Sequence, residues 1–565
     1  MSISTVATWA VVIGGLLICA KPLGLYLYRV FTFQPTILDR PLKPVEDLIF
    51  RAIHVSRESS MSAVEYGVSF MLTNLVWAVM AYVLLRTQGL WPFNPEHFGN
   101  LSAGLSFNTA ASFVTNTNWQ AYSGENTMSY FSQFAVLQFL QFVTPASGAA
   151  AGVAFVRAMA GRPLGNFFVD LTVFTTRVLL PLSVIFGLFF VAQGVPDTLL
   201  GYLHLHTLTG ATQTVPRGPM AGWEAIEHLG QNGGGFTGAN SANPLENPTA
   251  LTNIAQSLAM GLVPVAFFYM FGRFTGRTRL AWTLMGVAGT LFLAMLAMIY
   301  FPEAAGNPIV NHLGLLGHAN MEGKDLRFGL GGTAIFETST MAFSTGSVVA
   351  AQDSFLPIPG LAFFLGMFLN MVFGATGVGL LNMVMFVILT IFLMGLMVGR
   401  TPEFLGKKIE AREVSLTAIA FLLHPLLILV GGAIAVSTSA GLAGVFNPGP
   451  HGLSEILYAF SSAAANNGSA MAGLNAALPF YEIAIGLVAI IGRYASIMVM
   501  LLVGESLLKK KAVPQTSGTM RTDTPLFGGI LLGSIMILNA LTFFPVMALG
   551  PLAEHYLLLA HHLFS

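Results

Sequence analysis

The chain has 565 residues, of which 54% are hydrophobic and only 9% are charged, far below the roughly 25% charged residues of soluble domains. Its 25 Lys+Arg balance its 25 Asp+Glu, so net charge gives no reason to expect binding to nucleic acid. The single cysteine, Cys19, excludes an internal disulfide and a cysteine metal cluster. This composition predicts an integral membrane protein.

Hydropathy along the chain predicts about ten membrane spans. The first, from Val6 to about Leu27, is long enough to cross a bilayer and follows no basic residue, so we interpret it as a retained helix rather than a signal peptide. The predicted spans cover roughly 6–27, 63–85, 130–156, 168–193, 250–271, 281–300, 358–398, 415–437, 480–504 and 526–548.

Basic residues cluster in alternate loops, which contain 18 of the 25 Lys and Arg. The positive-inside rule makes these loops cytoplasmic and leaves both termini outside. The 18 residues are Arg29, Arg40, Lys43, Arg51, Arg57, Arg157, Arg162, Arg273, Arg277, Arg279, Arg400, Lys407, Lys408, Arg412, Lys509, Lys510, Lys511 and Arg521.

The opposite loops each contain a helical-looking segment followed by a small, polar turn. The segments cover roughly Leu101–Val114, Gly222–Gln231, Gly332–Phe343 and Leu453–Ala464. The turns are Thr115-Asn-Thr-Asn-Trp-Gln120, Asn232-Gly-Gly-Gly-Phe236, Ser344-Thr-Gly-Ser347 and Ala465-Asn-Asn-Gly-Ser469. One such turn alone would be an ordinary surface loop, and four unrelated loops are the alternative interpretation. Four turns at a regular spacing favour one shared structure.

The spacing is 117 residues from Asn116 to Gly233, 113 from Gly233 to Gly346 and 122 from Gly346 to Gly468. Units of this length, each with a span, a re-entrant loop and a span, are typical of transporters and channels. We therefore predict an all-α polytopic protein with four pseudo-repeats around one pore and an extra helix at each end. The predicted units are 1–60, 61–160 (repeat 1), 161–275 (repeat 2), 276–405 (repeat 3), 406–512 (repeat 4) and 513–565.

The second turn lies in a glycine-rich stretch, Gly230–Pro244, that has no charged side chain. Glycine and asparagine disfavour a helix here, and irregular backbone at membrane depth is tolerated only when it is buried or lines a water-filled path. A path lined by carbonyls suits a dehydrated monovalent cation. The C-terminal ends of the preceding helices, with their partial negative charge, would favour the same ligand.

Two features are candidates for a gate or coupling element below the turns. Gly374-Ala-Thr-Gly-Val-Gly379 interrupts a seventh apolar stretch of more than 40 residues, too long for one untilted helix, so we predict a break that involves Gly374, Gly377 and Gly379. Arg493 lies within the ninth span. It is either a functional intramembrane charge or a structural partner of Glu482 or Glu505.

No nucleotide-hydrolysing or other enzymatic motif is visible. The sequence has no G-x-x-x-x-G-K-[ST] phosphate loop and no Asp-Lys-Thr-Gly-Thr, so any ATP is expected to be hydrolysed by another subunit. An intramembrane enzyme would need metal-ligand motifs or a nucleophile–base pair, which we do not find. We therefore expect neither catalytic residues nor a cofactor, with a monovalent cation as the transported substrate.

Several motifs together resemble the potassium-binding subunit family of the bacterial Kdp potassium-transporting ATPase, over nearly the whole chain. They are Val114-Thr-Asn-Thr-Asn-Trp-Gln-Ala-Tyr-Ser-Gly-Glu125, Asn232–Phe236, Ala239-Asn-Ser241, Glu246-Asn-Pro-Thr-Ala-Leu-Thr-Asn253, Asn320-Met-Glu-Gly-Lys324, Gly399-Arg-Thr-Pro-Glu403 and Asn447-Pro-Gly-Pro-His-Gly452. The sequence departs from the family at Thr237-Gly238, Thr345, Ala465, Ala351-Gln-Asp353 and at Asn370, where a glutamate is familiar.

The resemblance implies a fold shared with the Trk/Ktr/HKT potassium transporters. It also implies a complex with a P-type ATPase subunit (KdpB), an accessory subunit (KdpC) and a small helix (KdpF), working in high-affinity potassium uptake. The alternative is a self-sufficient channel or ion-coupled carrier of the Trk/Ktr type. The family's filter roles fall on Asn116, Thr117, Asn232, Gly233, Ser344, Thr345, Gly346, Asn466, Asn467 and Gly468.

Overall fold

The computed structural model describes residues 1–315, 318–399, 401–511 and 520–561. Arg400 and the predicted boundary at residue 512 lie outside these described residues. Within them, ten helices are long and apolar enough to cross a membrane, as the hydropathy predicts. The chain is therefore an all-α, multi-pass membrane protein.

The ten helices, called spans 1 to 10 below, begin and end within a few residues of the predicted limits, apart from the longer C-terminal ends of spans 6 and 10 and the later start of span 7. They are Ile3–Phe31, Ala63–Arg86, Phe131–Met159, Phe167–Ala192, Ala250–Phe274, Thr278–His312, Val378–Val398, Ala411–Ser437, Pro479–Leu508 and Pro525–Leu559. Capping hydrogen bonds fix several starts: the Ser62 hydroxyl accepts from the Glu65 N–H, and the Glu65 carboxylate accepts from the Ser62 N–H in return. Such a capping box satisfies two N–H groups that the helix itself leaves free.

Span 7 covers only the second part of the predicted 358–398 segment. A separate helix, Pro357–Leu369, precedes it, and the chain between them is not helical. Asn370 ends the first helix with a left-handed φ of 42°, and Gly377, with φ of 81°, precedes the second. The predicted break is therefore confirmed as a structural feature.

Four shorter helices, called pore helices 1 to 4, lie between spans 2 and 3, 4 and 5, 6 and 7, and 8 and 9. They are Ala103–Val114, Met220–Leu229, Gly329–Ala342 and Gly449–Ala465. All four lie where the sequence predicts a helix before a polar turn. Their residues are largely buried, so these helices are enclosed by the spans rather than spread over a surface.

The spans form an inner and an outer set. The apolar windows of spans 3 and 5 are 83% and 78% buried, whereas those of spans 1 and 2 are 22% buried. Outward positions of the outer spans are apolar, as at Leu75 and Val76. Apolar side chains on the outside of a bundle are what lipid contact requires, so the outer set is the lipid-facing surface.

The remaining elements are small. Two antiparallel hairpins pair Leu203–His206 with Thr212–Val215 and Glu403–Phe404 with Lys407–Lys408. Short helices cover Gln88–Leu90, Gly124–Thr127, Asn240–Ala242, Pro308–His312, Gln352–Ser354 and Ser439–Leu442. The spans contain wider π-helical turns at Phe131–Leu137, Thr175–Leu179 and Ala548–Leu552. A surface helix, Asp39–Ala52, forms within a region predicted only as a cytoplasmic loop.

Candidate functional site

The four polar turns end their pore helices with the same hydrogen bond. In each, a backbone N–H just after the helix donates to the carbonyl five residues earlier. The pairs are Thr117 to Ser112 (2.9 Å), Asn232 to Glu227 (2.7 Å), Thr345 to Thr340 (2.8 Å) and Asn467 to Ser462 (2.9 Å). The residue before each donor has a left-handed φ: Asn116 59°, Gln231 50°, Ser344 50° and Asn466 53°. These four turns therefore share one backbone design.

This pattern fixes which residues of the turns are equivalent. Asn118 corresponds to Gly233, Gly346 and Gly468, and Gln231 corresponds to Asn116. The repeat spacing counted from the sequence pairs Asn116 with Gly233 instead, which is an error of two residues in the first turn. The predicted filter residues therefore do not include Asn118 or Gln231. Counted from the left-handed residues, the steps are 115, 113 and 122 residues, but this count requires φ angles that only the structure supplies.

The turns converge on one another. A Cβ added at Gly233 would lie 2.7 Å from the Thr345 carbonyl oxygen and 2.9 Å from that of Asn467. A Cβ at Gly468 would overlap the carbonyl oxygen of Thr117. Main-chain carbonyls of the first, third and fourth turns therefore crowd around glycines of the second and fourth. The structure thus brings the four predicted filter segments together at one place.

Glycine is required at Gly346 and Gly468 for two reasons. Their φ angles of 92° and 103° are rarely adopted by residues with a side chain. In addition, a Cβ at Gly346 would overlap the Asn467 carbonyl oxygen. Their N–H groups are held in matching ways, donating to the hydroxyls of Thr340 and Ser462 at 2.9 Å in both cases.

Most predicted filter side chains act as braces between turns. The Asn116 amide donates to the carbonyls of Gly230 and Gln231 (3.1 and 3.0 Å), and Ser344 donates to that of Ala465 (3.1 Å). The Asn466 amide donates to the Thr117 hydroxyl at 2.9 Å. The amides of Asn232 and Asn467 donate to carbonyls of Gln141 and Thr340. These side chains therefore fix the backbone, which leaves main-chain oxygens as the candidate ligands of an ion.

The second turn has an additional brace that the sequence did not assign. The Asn240 amide donates to the Gly233 carbonyl at 2.8 Å, and the Ser347 hydroxyl donates to the Asn240 side-chain oxygen at 2.7 Å. The Glu246 carboxylate accepts from the N–H groups of Phe236 (3.1 Å) and Thr237 (2.8 Å). Glycine-rich backbone gains order in this way, because each such bond removes conformations that glycine would otherwise sample.

Among the residues that the structure describes, two groups of side chains could hold a metal ion by geometry. Glu224, Glu227 and His228 bring ligand atoms within 4.8 Å of one another, as do Asp353, His451 and Glu455. In the second group, the His451 ring contacts Glu554 at 2.8 Å and Asp353 at 2.9 Å. Burial opposes protonation of His451, but these carboxylates outweigh it and raise its pKa to about 10. A protonated imidazole has no lone pair for a metal, so we interpret this group as an ion-pair cluster.

The break before span 7 packs directly below the turns. Thr376 donates its N–H to the Gln231 side-chain oxygen at 2.9 Å, and the Gly374 N–H donates to the Ala342 carbonyl of pore helix 3 at 2.9 Å. A Cβ at Gly377 would lie 2.5 Å from the Gly148 carbonyl oxygen. The predicted Gly374–Gly379 segment is thus wedged between span 3 and the second and third turns.

Arg493 lies at the foot of the fourth turn. The Asn466 amide donates to the carbonyl of Ala489 in span 9 at 3.0 Å, and Arg493 follows Ala489 by one helical turn. Its guanidinium reaches Gly148, beside the Thr376 carbonyl of the break. Arg493 is only 3% exposed. The structure therefore places the two predicted gate elements next to each other.

The alternative role of Arg493 as a structural ion pair is not observed. Among the described residues, no carboxylate lies within salt-bridge distance of its guanidinium. Glu505 instead contacts Lys509 at 3.3 Å, and Glu482 lies beside Gly104. An uncompensated buried charge is costly, so this arginine favours a functional role.

Comparison with known proteins identifies the family of the chain. The family model described as "Potassium-transporting ATPase A subunit" matches residues 10–556. The chain belongs to this family. Since the match covers almost the whole chain, the turns, the break and Arg493 all lie within the family region.

Curated relatives named "Potassium-transporting ATPase potassium-binding subunit" align over nearly their full length with this A subunit. One from Alicyclobacillus acidocaldarius is 49% identical over 98% of this chain and 99% of its own. One from Rhizobium rhizogenes is 47% identical over 98% of both chains. One from Yersinia pseudotuberculosis is 46% identical over 96% of both. These names denote the potassium-binding subunit rather than a catalytic one, which places this A subunit among the non-catalytic components.

Among solved structures, the potassium transporter TrkH from Vibrio parahaemolyticus aligns with this A subunit at 14% identity and a TM-score of 0.49. The alignment covers 77% of this chain and 84% of that one.

Proposed function

We propose that this subunit binds and selects potassium ions where its four turns converge and passes them into an ATP-driven, high-affinity uptake complex. The observation that carries the proposal is the convergence of four turns of one backbone design, in which side-chain hydrogen bonds hold the main-chain oxygens in fixed positions. Carbonyl oxygens held in fixed positions replace the hydration shell of a monovalent cation. The residues that we assign to this filter are Asn116, Thr117, Asn232, Gly233, Ser344, Thr345, Gly346, Asn466, Asn467 and Gly468, together with Asn118 and Gln231.

The pore helices support the choice of a cation. All four end at the turns, so the negative ends of their dipoles converge on the same place. No lysine or arginine belongs to the turns themselves. An anion would therefore meet partial negative charge from four directions, whereas a cation is stabilised.

Arg493 and the Gly374–Gly379 segment supply the barrier that distinguishes a pump subunit from a channel. A fixed positive charge 4 Å from a potassium ion repels it by about 4 kcal/mol at an effective dielectric constant of 20. That energy opposes free passage by about a thousandfold. The wedged glycine segment adds a steric obstacle at the same place.

The barrier prevents the ion from passing straight through the subunit, so the ion must leave the turns sideways. A cavity lies beside the fourth turn, and its lining includes Asn370, Asn382, His424 and Ser496. Polar side chains in an otherwise apolar wall suit a partly dehydrated ion. We propose this cavity as the first part of a route to a P-type ATPase subunit (KdpB), which hydrolyses ATP in a complex that also contains KdpC and KdpF.

Purification of the native complex tests this function. Co-purified subunits with potassium-stimulated ATPase activity are expected, together with potassium accumulation in reconstituted vesicles. A chain that purifies alone and conducts potassium without ATP would contradict the proposal and support the self-sufficient channel. Isotopic potassium binding to the complex at rest would test the filter separately from the pump.

The orientation is tested by labelling intact cells. Cys19 is first replaced by serine, and single cysteines are then introduced at Lys408 and Asn311. If both termini face outside, the cysteine at 408 is protected from an impermeant thiol reagent and the one at 311 reacts. The reverse pattern would place all four turns on the cytoplasmic side of the inner membrane.

A further inference from the structure

The surface helix Asp39–Ala52 connects span 1 to span 2 and has two different faces. Its inward face contains Asp39, Glu46 and Phe50, of which Glu46 and Phe50 are buried. Its outward face repeats apolar residues at helical spacing: Pro41, Val45, Leu48 and Ala52, all exposed. Positions separated by four, seven and eleven residues lie on one side of a helix, so the apolar face points away from the protein.

The acidic residues of this helix are neutralised by the protein itself. The Glu46 carboxylate accepts hydrogen bonds from the Arg177 guanidinium at 2.6 and 2.7 Å and from Arg57 at 2.9 Å. Asp39 pairs with Arg177 at 2.5 Å, and Asp47 pairs with Arg57 at 2.8 Å. Burial opposes ionisation of Glu46, but the hydrogen bonds and charge of Arg177 outweigh it and lower its pKa. The inward face is therefore an ion-paired joint to span 4.

The basic residues of the helix are placed differently. Arg40, Lys43 and Arg51 are exposed, and no ion pair joins them to any of the described residues. Arg40 and Arg51 are eleven residues apart, so they lie on one side of the helix and flank the apolar stripe. The helix thus presents an apolar surface with unpaired positive charges, while its negative charges are paired with Arg177 and Arg57.

The position of the helix between spans 1 and 2 indicates what contacts its apolar outward face. Span 1 ends at Phe31 and span 2 begins at Ala63, so the helix between them is held at the level where the spans leave the membrane. Leu48 within the helix is 67% exposed, and Ile37, just before the helix begins, is 90% exposed. Apolar side chains flanked by arginine at this level are typical of helices that lie in the membrane interface.

We propose that the surface helix Asp39–Ala52 lies in the membrane interface and binds anionic phospholipid, with Val45 and Leu48 among the acyl chains and Arg40 and Arg51 on the headgroup phosphates. Arginine suits this role because its guanidinium binds phosphate in a bidentate way. The Glu46–Arg177 joint then connects the lipid surface to the π-helical turn of span 4 at Thr175–Leu179. The inference does not depend on which ion the pore selects.

Spin labelling of the full chain in its purified complex tests the position of the helix. With Cys19 replaced by serine, a nitroxide is attached at Leu48→Cys, or at Glu58→Cys as a water-exposed control. In vesicles that contain phosphatidylglycerol, the label at 48 is expected to be more accessible to oxygen than to a polar nickel complex, and the label at 58 the reverse. Equal exposure of both labels to water overturns the proposal. Shielding of position 48 from both reagents also overturns it, because a protein partner would then cover the helix.

Lipid retention tests the charge requirement. Arg40→Glu combined with Arg51→Glu is compared with a control of equal charge change, Arg277→Glu with Arg279→Glu, whose residues are exposed at the start of span 6. The first pair is expected to weaken retention of phosphatidylglycerol during detergent washing by at least about tenfold, since each basic residue near an anionic leaflet contributes severalfold. The control pair is expected to retain lipid as the unmodified complex does. Equal retention in all three overturns the lipid assignment.

Discussion

The third and fourth turns are nearly copies of each other, whereas the first and second turns depart from them in different ways. In the third and fourth, a left-handed glycine donates its N–H to a pore-helix hydroxyl six residues earlier, on Thr340 or Ser462. The first turn has Asn118 at the glycine position, and Ser112, at the hydroxyl position, donates to the Trp119 carbonyl instead.

The second turn differs most. Glu227 occupies the position that Ser112, Thr340 and Ser462 hold elsewhere, and Gly233 does not have a left-handed φ. Both Glu227 carboxylate oxygens are buried and have no hydrogen-bond partner within the described residues. The Asn240 amide instead holds Gly233 by its carbonyl. Four turns can therefore share a backbone design and still be fixed by different side chains, because a single chain imposes no symmetry on them.

The largest effect is expected from Gly346→Asp and Gly468→Asp, which would break the matched pair of turns. Each requires both a disfavoured φ and an overlap with a neighbouring carbonyl, so potassium uptake at limiting concentration is expected to be lost. Gly233→Asp is expected to raise the potassium requirement or to relax selection against ammonium or rubidium, with some uptake left, because only the overlap applies there. The measurement is growth and rubidium uptake at micromolar potassium.

Gly194→Asp is the control for these glycines. Its φ of 100° resembles that of Gly468, but nothing lies within 4 Å of an added Cβ. Normal uptake in this variant would show that convergence rather than φ alone causes the loss. Unchanged uptake in all three turn variants would contradict the filter assignment.

A second prediction separates the fourth turn from the third, because only the fourth has a buried arginine at its foot. Arg493→Met removes the charge and keeps much of the volume, so passive potassium leak or ATPase turnover without accumulation is expected, with the barrier reduced by up to about a thousandfold. Potassium flux into vesicles without ATP measures the leak. Arg493→Lys, which keeps the charge, is expected to leak far less. Normal accumulation without leak in Arg493→Met would leave the barrier to the glycine segment alone.

A third, smaller effect tests the matched hydroxyls. Thr340→Val and Ser462→Ala each remove the acceptor of a buried glycine N–H, which costs about 1–3 kcal/mol. Selectivity for potassium over ammonium is expected to fall in both by a similar factor, measured as the inhibition of rubidium uptake. Ser112→Ala should have less effect, since its hydroxyl serves a different carbonyl. If Ser112→Ala matched the other two, the first turn would resemble them more than its hydrogen bonds indicate.

The smallest change in transport is expected from Glu227→Thr, which sharpens the comparison by giving the second turn the hydroxyl of the third. The variant removes a buried carboxyl without a partner, so unfolding should become less favourable by about 1–2 kcal/mol. A higher thermal midpoint of the purified complex with unchanged uptake is the expected result. A lower midpoint together with lost uptake would mean that the carboxyl itself is needed.

Hydropathy was sufficient for the ten spans, because apolar length is what the bilayer imposes. Glycine content also located the break, since Gly374 and Gly377 adopt φ angles that other residues avoid. The sequence could not give the equivalence of Asn118 with Gly233, which rests on hydrogen bonds. Nor could it give the Asn240 and Ser347 brace, because side chains more than 100 residues apart meet only in the folded chain.

The surface helix Asp39–Ala52 was missed for a related reason. A hydropathy window averages its apolar outer face with its charged inner face, so the segment reads as a polar loop. Its inner face is held against the protein by Arg177, some 130 residues later, which pairs with Glu46. Local sequence could therefore suggest a cytoplasmic position for this segment but not its structure.

The hydrogen bond between Asn466 and Thr117 can form only late in synthesis, after the fourth turn has been made. These residues are 349 positions apart, and ribosomes add about 5–20 residues per second, so the first turn waits roughly 20–70 s for its partner. Throughout that interval the Thr117 carbonyl and hydroxyl lack the surface that finally covers them. Unpaired polar backbone is not tolerated against lipid, so water or the insertion machinery must shelter the first turn until the fourth pore helix arrives. In a chain truncated before residue 466, the first turn would never gain this partner.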